Sequence, residues 1–208
     1  QYWVRFWFDD ERRLDAARAF QLSRLARIEA LWTQRALADV GFLVSETELG
    51  TAIRRHREAI AGAASATDLL TLEARLTKTL FRLAARAVDY GDFTRAKRGG
   101  GTDPANRFLD HGNYLAYGLA ATATWVLGLP HGLAVLHGKT RRGGLVFDVA
   151  DLVKDAVILP QAFLSAMRGD EEQEFRQACI ERLARTESLD FMIDTLKVVA
   201  QDLGEGVE

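Results

Sequence analysis

Apolar residues recur every three or four positions between residues 69 and 87, and this spacing limits the fold of the chain more than any other feature. The stripe consists of Leu69, Leu72, Leu76, Leu80, Leu83 and Ala87. A period near 3.6 residues puts these side chains on one face of an amphipathic helix, which must bury that face against other elements. We predict a helix over residues 67–91 that lies in the core of a helical domain.

Helical spacing continues along most of the chain, with residues that favour helix ends at the boundaries. The sequence Ser45-Glu46-Thr47-Glu48 has capping-box spacing, and Asp103-Pro104 combines an N-cap with a proline in the first turn. Further helices are predicted over residues 9–41, 45–60, 103–128, 148 or 151–167, 171–185 and 188–203. Pro160 should kink or divide the helix that contains it. The predicted fold class is therefore mainly α, a multi-helix domain over residues 9–208.

The first eight residues have a different pattern. Residues 2–8, YWVRFWF, are rich in aromatics, which favours a strand or an extended segment. Because a lone strand is not stable, residues 1–8 are interpreted as the end of an N-terminal β domain or an interdomain strand. The alternative is a hydrophobic lead-in that packs on the helices.

Composition excludes several classes of protein. The 48% hydrophobic and 27% charged residues are typical of a globular domain, and no apolar run approaches the length that spans a bilayer. A single cysteine, Cys179, excludes an internal disulfide and is interpreted as a buried small side chain in a reducing cytoplasm. Residues 73–142 carry eleven basic and five acidic residues, whereas residues 143–208 carry six and fourteen. This asymmetry indicates a localised anionic partner.

One glutamate and one histidine stand out as candidates for chemistry. Glu73 lies on or beside the apolar face of its predicted helix, and a buried carboxylate costs several kcal/mol unless it is protonated or meets a cation or metal. Alternatively, Glu73 lies at the edge of that face and pairs with Arg75, Lys78 or another base. His137 ends an apolar run and precedes a loop, which fixes its ring at the end of an element.

Two aspartates complete the candidate site. Asp148 and Asp151 are one helical turn apart, so both can approach one ion, or one can cap the following helix while the other binds. Mixed carboxylate and imidazole ligands with room for water suit Mg²⁺ or Mn²⁺, and such an ion can activate a phosphodiester. The sequence has no cysteine cluster and no HExxH, GxSxG, Walker or GxGxxG pattern.

Two glycine-rich basic loops are candidates for contacts with a phosphate backbone. The first spans residues 91–102 and the second follows His137. Their basic residues are Arg95, Lys97 and Arg98 in the first loop and Lys139, Arg141 and Arg142 in the second. The alternative for the first loop is a solvated linker.

Four motifs in order resemble the CRISPR-associated adaptation endonuclease/integrase family, the Cas-one family, most closely its type I-F branch. They are LLTLEARLTKTLF, DPANRFLDHGNYLAYGL, LAVLHGK and LVFDVADLVKD, together with the lead-in QYWVRFWF. The resemblance implies that residues 9–208 are the α-helical C-terminal catalytic domain, and that residues 1–8 are a strand remnant of an N-terminal β domain.

The resemblance also implies roles for single residues. Glu73, His137 and Asp151 match the family's metal ligands, and Asp148 matches an accessory carboxylate of the active site. The D-P-x-N helix start falls on Asp103 and Asn106, for which we expect a structural or supporting role. Lys139 matches the basic loop that contacts DNA, whereas Arg141 and Arg142 are added here from charge and position alone.

The implied activity is the cutting and joining of DNA with Mg²⁺ or Mn²⁺ in the cytoplasm of a prokaryote. The implied partners are double-stranded DNA (protospacer and CRISPR repeat), a second copy of the chain, and the second adaptation protein, Cas-two, which type I-F fuses to the helicase-nuclease. No membrane partner is expected. The alternative is a non-catalytic helical module for DNA binding or oligomerisation.

Overall fold

The computed structural model describes residues 1–96, 103–138 and 142–205. Every regular element in these ranges is helical, which confirms the mainly α prediction. The elements are α1 (Tyr2–Trp7), α2 (Asp10–Trp32), α3 (Arg35–Ala38), α4 (Glu46–Ala61), α5 (Ala66–Ala87), α6 (Pro104–Val126), α7 (Gly144–Val153), a π-turn (Lys154–Ile158), α8 (Leu159–Arg168), α9 (Glu172–Arg185) and α10 (Ser188–Gly204).

Two long helices, α2 and α6, organise the packing. Helix α6 contacts α7, α8, α9, α10 and the π-turn, and α2 contacts α4, α5, α7, α10 and the π-turn. Gly112 lets α6 approach closely, because a Cβ at this position would lie 2.4 Å from Cγ2 of Ile158. None of the described helices is long and apolar enough to cross a membrane.

The strand prediction for residues 1–8 is wrong, because residues 2–7 form helix α1. Trp3 and Phe6, three residues apart, are buried on one face of α1, which contacts α10 and α2. The indole Nε1 of Trp3 donates to Leu133 O at 3.0 Å. Gly204 allows this close packing, since a Cβ there would lie 2.5 Å from Cβ of Tyr2. The aromatic residues therefore form a lead-in packed on the helices, and a preceding β domain remains a prediction.

The helix that carries the two aspartates begins at Gly144, so the prediction that Asp148 or Asp151 caps it is wrong. Gly143 is the N-cap residue, with a left-handed φ of 69° that favours glycine. Asp148 lies one turn inside α7, where its carboxylate accepts backbone N–H groups of the preceding turn instead.

Pro160 divides this helix, as predicted, through the π-turn that precedes it. Leu159 N donates to Lys154 O, five residues back. The same five-residue spacing would make Pro160 the donor to Asp155 O, but proline has no N–H. The indole Nε1 of Trp32 donates to Asp155 O at 3.1 Å instead. Trp32 therefore satisfies the carbonyl that the proline leaves free, and this bond holds the π-turn beside α2.

Cys179 is fully buried, as predicted, and burial raises the pKa of its thiol to about 12. At pH 8 only about one thiol in ten thousand would be ionised, and the thiolate is the reactive form. We expect native protein to resist iodoacetamide at pH 8 and to react at the ordinary rate of a free thiol in 8 M urea. Rapid alkylation of the native protein would contradict the burial of Cys179.

Candidate metal centre

Three side chains from distant parts of the sequence converge at one point. Glu73 comes from α5, His137 from the turn before the second basic loop, and Asp151 from α7. One ligand atom of each lies within 4.8 Å of the other two. Opposite ligands of a six-coordinate ion are about 4.2 Å apart, so small side-chain movements would bring all three onto one ion.

Glu73 faces the interior rather than the bases on its own helix. Its Oε2 accepts a hydrogen bond from Gln21 Nε2 at 3.1 Å, and its Oε1 lies 3.7 Å from Arg24 Nη1 and 3.9 Å from His137 Nε2. Burial raises the pKa of Glu73, and the nearby charge of Asp151 raises it further. Arg24 and His137 oppose this effect without cancelling it. Among the described residues Glu73 forms no salt bridge with Arg75 or Lys78, and the base that it pairs with is Arg24 of α2.

Asp148 fixes the orientation of His137. Its Oδ1 accepts a backbone hydrogen bond from His137 N at 3.0 Å and lies 2.7 Å from His137 Nδ1, while its Oδ2 accepts from Val135 N and Leu136 N at 2.8 and 3.2 Å. A ring that donates from Nδ1 to a carboxylate presents the lone pair of Nε2, which is the side facing Glu73. Burial lowers the pKa of His137, but the Asp148 hydrogen bond and the charges of Asp151 and Glu73 raise it above its ordinary value.

Asp151 is buried but ionised because cations surround it. It forms an ion pair with Lys154, one helical turn further along the chain. Burial alone would raise the pKa of Asp151, but the charges of Lys154, Arg24 and His137 hold it below its usual value. A carboxylate that stays charged in the interior is a suitable ligand for a cation.

A fully buried arginine, Arg24, lies on the core side of the site. Arg24 donates to Asp155 through Nε, at 2.9 Å, and through Nη2. It also donates through Nη1 to Gln21 Oε1 at 3.3 Å and through Nη2 to Thr77 Oγ1 at 3.1 Å. Desolvation lowers the pKa of Arg24, but the charges of Asp155 and Glu73 outweigh this effect and raise it. Arg24 therefore stays charged and joins α2, α5 and the π-turn.

The donor set fits a divalent cation. The buried and half-buried carboxylates of the site outnumber its cations even with His137 charged. Glu73, Asp148, Asp151 and Asp155 face Arg24, Lys154 and His137. Two carboxylate oxygens and one imidazole nitrogen are suitable ligands for Mg²⁺ or Mn²⁺, and three protein ligands leave positions for water or phosphate oxygens.

Glycine is required at position 144 for the His137 turn to lie against α7. A Cβ there would lie 2.8 Å from Cβ of Ala134 and 2.9 Å from both C and O of His137. Trp7 supports the same turn, because its Nε1 donates to Ala134 O at 2.8 Å. A larger residue at position 144 would push against backbone rather than against a flexible side chain.

We expect Gly144→Ala to destabilise the protein by about 1–3 kcal/mol, since the added methyl displaces the His137 turn. Gly118→Ala is the matched control, because a Cβ at this exposed site in α6 meets nothing within 4 Å. The control should be stabilised by about 0.5–1 kcal/mol, the ordinary gain from alanine over glycine in a helix. Urea unfolding measures both. Equal effects of the two substitutions would show that the contact at Gly144 is not constrained.

Comparison with known proteins identifies the family. The family model for CRISPR associated protein Cas1 matches residues 3–178, which is most of the chain. The chain belongs to the Cas1 family.

Curated relatives agree with this assignment. The chain is 69% identical over 202 residues to the CRISPR-associated endonuclease Cas1 of Pseudomonas aeruginosa, covering 97% of this chain and 62% of that protein. It is 60% identical over 208 residues to the Cas1 of Pectobacterium atrosepticum, covering 100% of this chain and 64% of that protein. The chain thus spans less than two thirds of the length of these relatives.

Solved structures share the fold. A CAS1 protein from Thermotoga maritima superposes with a TM-score of 0.70 at 19% identity, covering 92% of this chain and 65% of that one. A TtCas1–DNA complex superposes with a TM-score of 0.59 at 23% identity, covering 88% of this chain and 63% of that one. The helical arrangement described here is therefore a Cas1 fold.

Of the basic residues predicted to contact DNA in this Cas1 chain, two are described. Arg142 is exposed just before α7. Arg95 is engaged internally, with Nη2 paired to Asp110 and Nη1 donating to Asn106 Oδ1 at 2.8 Å. The others, Lys97, Arg98, Lys139 and Arg141, lie outside the described residues.

Asp103 and Asn106 have structural roles at the start of α6. Asp103 Oδ1 accepts from Asn106 N at 2.9 Å, and Tyr90 OH donates to Asp103 Oδ2 at 2.6 Å. The buried Asn106 also accepts from Ala96 N at 2.9 Å. These bonds tie the first basic loop to the helix.

Proposed function

We propose that this chain is the catalytic domain of a metal-dependent DNA endonuclease and integrase of CRISPR adaptation. The observation that carries the proposal is the convergence of Glu73, His137 and Asp151, whose ligand atoms lie within 4.8 Å of one another. These residues would hold Mg²⁺ or Mn²⁺, and the ion would supply charge neutralisation at a phosphodiester and activation of the attacking oxygen. Family membership and the curated name endonuclease of two relatives support the same activity.

Other residues of the chain position the proposed metal ligands and balance their charge. Asp148 accepts a hydrogen bond from His137 and keeps Nε2 of the ring directed at Glu73. The Arg24–Asp155 ion pair lies on the core side of the site. The Arg24 guanidinium contacts the carboxylates of Glu73 and Asp155, and it therefore keeps Glu73 from moving towards the core. The ammonium group of Lys154 balances the negative charge of Asp151, and a bound metal ion would take over this role.

In the proposed integration reaction, the 3′-hydroxyl of a short protospacer DNA attacks a phosphodiester at the boundary of a CRISPR repeat. A new phosphodiester forms and the 3′-oxygen of the cut strand leaves with a proton. Hydrolysis would follow the same course with water as the attacking group. The basic side chains proposed to hold the DNA backbone are Arg95, Lys97, Arg98, Lys139, Arg141 and Arg142.

The proposed assembly is that implied by the type I-F resemblance. A homodimer of the full-length protein would bind double-stranded DNA and the second adaptation protein, which is fused to the helicase-nuclease, in the cytoplasm of a prokaryote. A complex of TtCas1 with DNA supports a DNA partner. A β domain preceding this chain is part of the proposal.

The test is cleavage of a labelled DNA duplex by this chain with Mn²⁺, with Mg²⁺ or with EDTA. We expect nicked product with either ion and none with EDTA, and we expect His137→Gln to remove the ion-dependent product. DNA binding that is insensitive to Mn²⁺ and never yields product would support a non-catalytic DNA-binding module. An absence of both binding and cleavage would support an oligomerisation module.

A further inference from the structure

A second pocket lies outside the metal centre, between α2, α3, α8 and α9. Its volume is about 360 Å³, and arginines dominate its polar lining. They are Arg27, Arg168, Arg182 and Arg185. Two carboxylates, Glu181 and Glu187, also line the pocket, which leaves positive charge in excess.

Within the described ranges, none of these arginines forms a salt bridge. Arg168 donates to the carbonyl of Val40 at 3.0 Å, and Arg27 donates to the carbonyl of Thr186. Arg185 has no hydrogen bond or ion pair with a described residue, although it lies beside Arg182. Neutral carbonyls satisfy single N–H groups but do not balance charge, so the arginines retain donors for an anion.

Arg182 is held in place by a buried hydrogen-bond chain. Its Nη1 donates to Gln161 Oε1 at 3.3 Å, Gln161 Nε2 donates to Ser165 Oγ at 3.0 Å, and Ser165 Oγ donates to Asp170 at 2.6 Å. This chain fixes the Gln161 amide, and with it the guanidinium. Burial, together with the charges of Arg185 and Arg168, lowers the pKa of Arg182 to about 10. The guanidinium is therefore short of negative charge in its surroundings.

Arg27 has unused donor capacity in the same pocket. Its guanidinium lies 4.5 Å from the ring centre of Phe191, and its buried Nε has no hydrogen-bond partner among the described residues. The carboxylate that affects it most is Glu187, which sits at a left-handed φ of 49° in the turn between α9 and α10. A non-glycine residue in this conformation is uncommon and occurs often at binding sites.

We propose that this pocket binds a phosphate group through Arg27, Arg168, Arg182 and Arg185. Arginine forks match the geometry of tetrahedral oxyanions, and a bound dianion would balance the excess charge of the lining. The metal centre has the opposite preference, since its carboxylates repel anions. The two sites are therefore separable by the charge of what they bind.

A phosphate group reaches such a pocket either as a free ion or nucleotide, or as part of a DNA backbone. The volume of about 360 Å³ is larger than one phosphate ion needs, and Leu31 and Ala36 supply apolar lining beside the arginines. The chemistry of recognition is the same in both cases, so the experiment has to separate the sources.

The test is calorimetric titration of this chain with inorganic phosphate in the presence of EDTA, which removes any contribution of the metal centre. The variant is Arg168→Gln/Arg185→Gln, at two exposed positions whose loss leaves the core intact. Arg185→Gln alone is a second variant, and it breaks no hydrogen bond to a residue that the structure describes. The matched control is Arg176→Gln, an exposed arginine of α9 that does not line the pocket.

We expect phosphate affinity to fall at least about tenfold in the double variant and to stay within about twofold in the control. Displacement of phosphate by a DNA duplex would identify the backbone as the source, whereas DNA binding without displacement would identify a free phosphate or nucleotide. Absence of phosphate binding would overturn the proposal. So would equal losses in the double variant and in Arg176→Gln. Each of these results is independent of metal-dependent cleavage.

Discussion

Replacing Glu73 with glutamine is expected to slow ion-dependent cleavage strongly while leaving the fold intact. The substitution removes one of three proposed ligand oxygens, and a loss of about 3 kcal/mol of transition-state stabilisation slows cleavage roughly 100-fold. Stability should not fall. Burial raises the pKa of Glu73 because it disfavours the charged carboxylate, and a neutral amide has no charge to desolvate. Cleavage rate at saturating Mn²⁺ and the urea midpoint measure the two effects.

Glu58→Gln is the control for this experiment, since Glu58 is exposed on α4 and remote from the site in sequence. It should change neither quantity. A Glu73→Gln variant that cleaves DNA at the rate of the unsubstituted chain would contradict a ligand role. A variant that loses several kcal/mol of stability would point instead to a structural role for the carboxylate.

Replacing Arg24 with methionine is expected to cause the largest loss of stability. The substitution leaves Asp155 and Glu73 without their shared cation, and breaking a buried pair from one side costs about 3–5 kcal/mol. For a chain of this size, that loss lowers the melting temperature by roughly 6–20 °C. Thermal unfolding followed by circular dichroism measures it.

A double variant tests whether the loss comes from the orphaned charge. Asp155→Asn added to Arg24→Met removes the uncompensated carboxylate, so the pair should recover part of the stability lost by the single change. Arg54→Met, at an exposed position of α4, is the control and should change stability by less than about 0.5 kcal/mol. A double variant that is as unstable as the sum of its parts would show that Arg24 and Asp155 act independently.

The helices were predictable because their apolar faces are local patterns. The stripe around Glu73 gave a helix over residues 67–91, close to the observed Ala66–Ala87. The stripe also put Glu73 on or beside the buried face, and in the structure its carboxylate faces the interior. Only tertiary packing brings it to His137, since these residues are far apart in the sequence. Spacing alone therefore predicts that Glu73 needs a partner, but not which one.

The polar residues that surround the proposed ligands were not predicted, although the sequence contains a signal for them. Gln21 and Arg24 lie at helical spacing between the buried Ala17 and Ile28 of α2, on a face where apolar residues would be expected. Polar residues in such positions indicate a buried hydrogen-bond network. Lys154 gave a weaker signal, one helical turn after Asp151.

The aromatic segment shows why the first residues were misassigned. In six residues, helical spacing and β-propensity cannot be separated by periodicity, because Trp3 and Phe6 satisfy one pattern and the aromatic content favours the other. The helical conformation is supported by long-range contacts, in which the indoles of Trp3 and Trp7 donate to Leu133 O and Ala134 O.

The most direct test is diffraction from crystals of this chain soaked in Mn²⁺, recorded at the manganese absorption edge. We expect one anomalous peak among Glu73, His137 and Asp151. The ion should lie roughly 2.1 Å, within about 0.2 Å, from Nε2 of His137 and from an oxygen of each carboxylate. The contradicting result is an absence of density there, or a peak elsewhere, while Lys154 keeps its ion pair with Asp151.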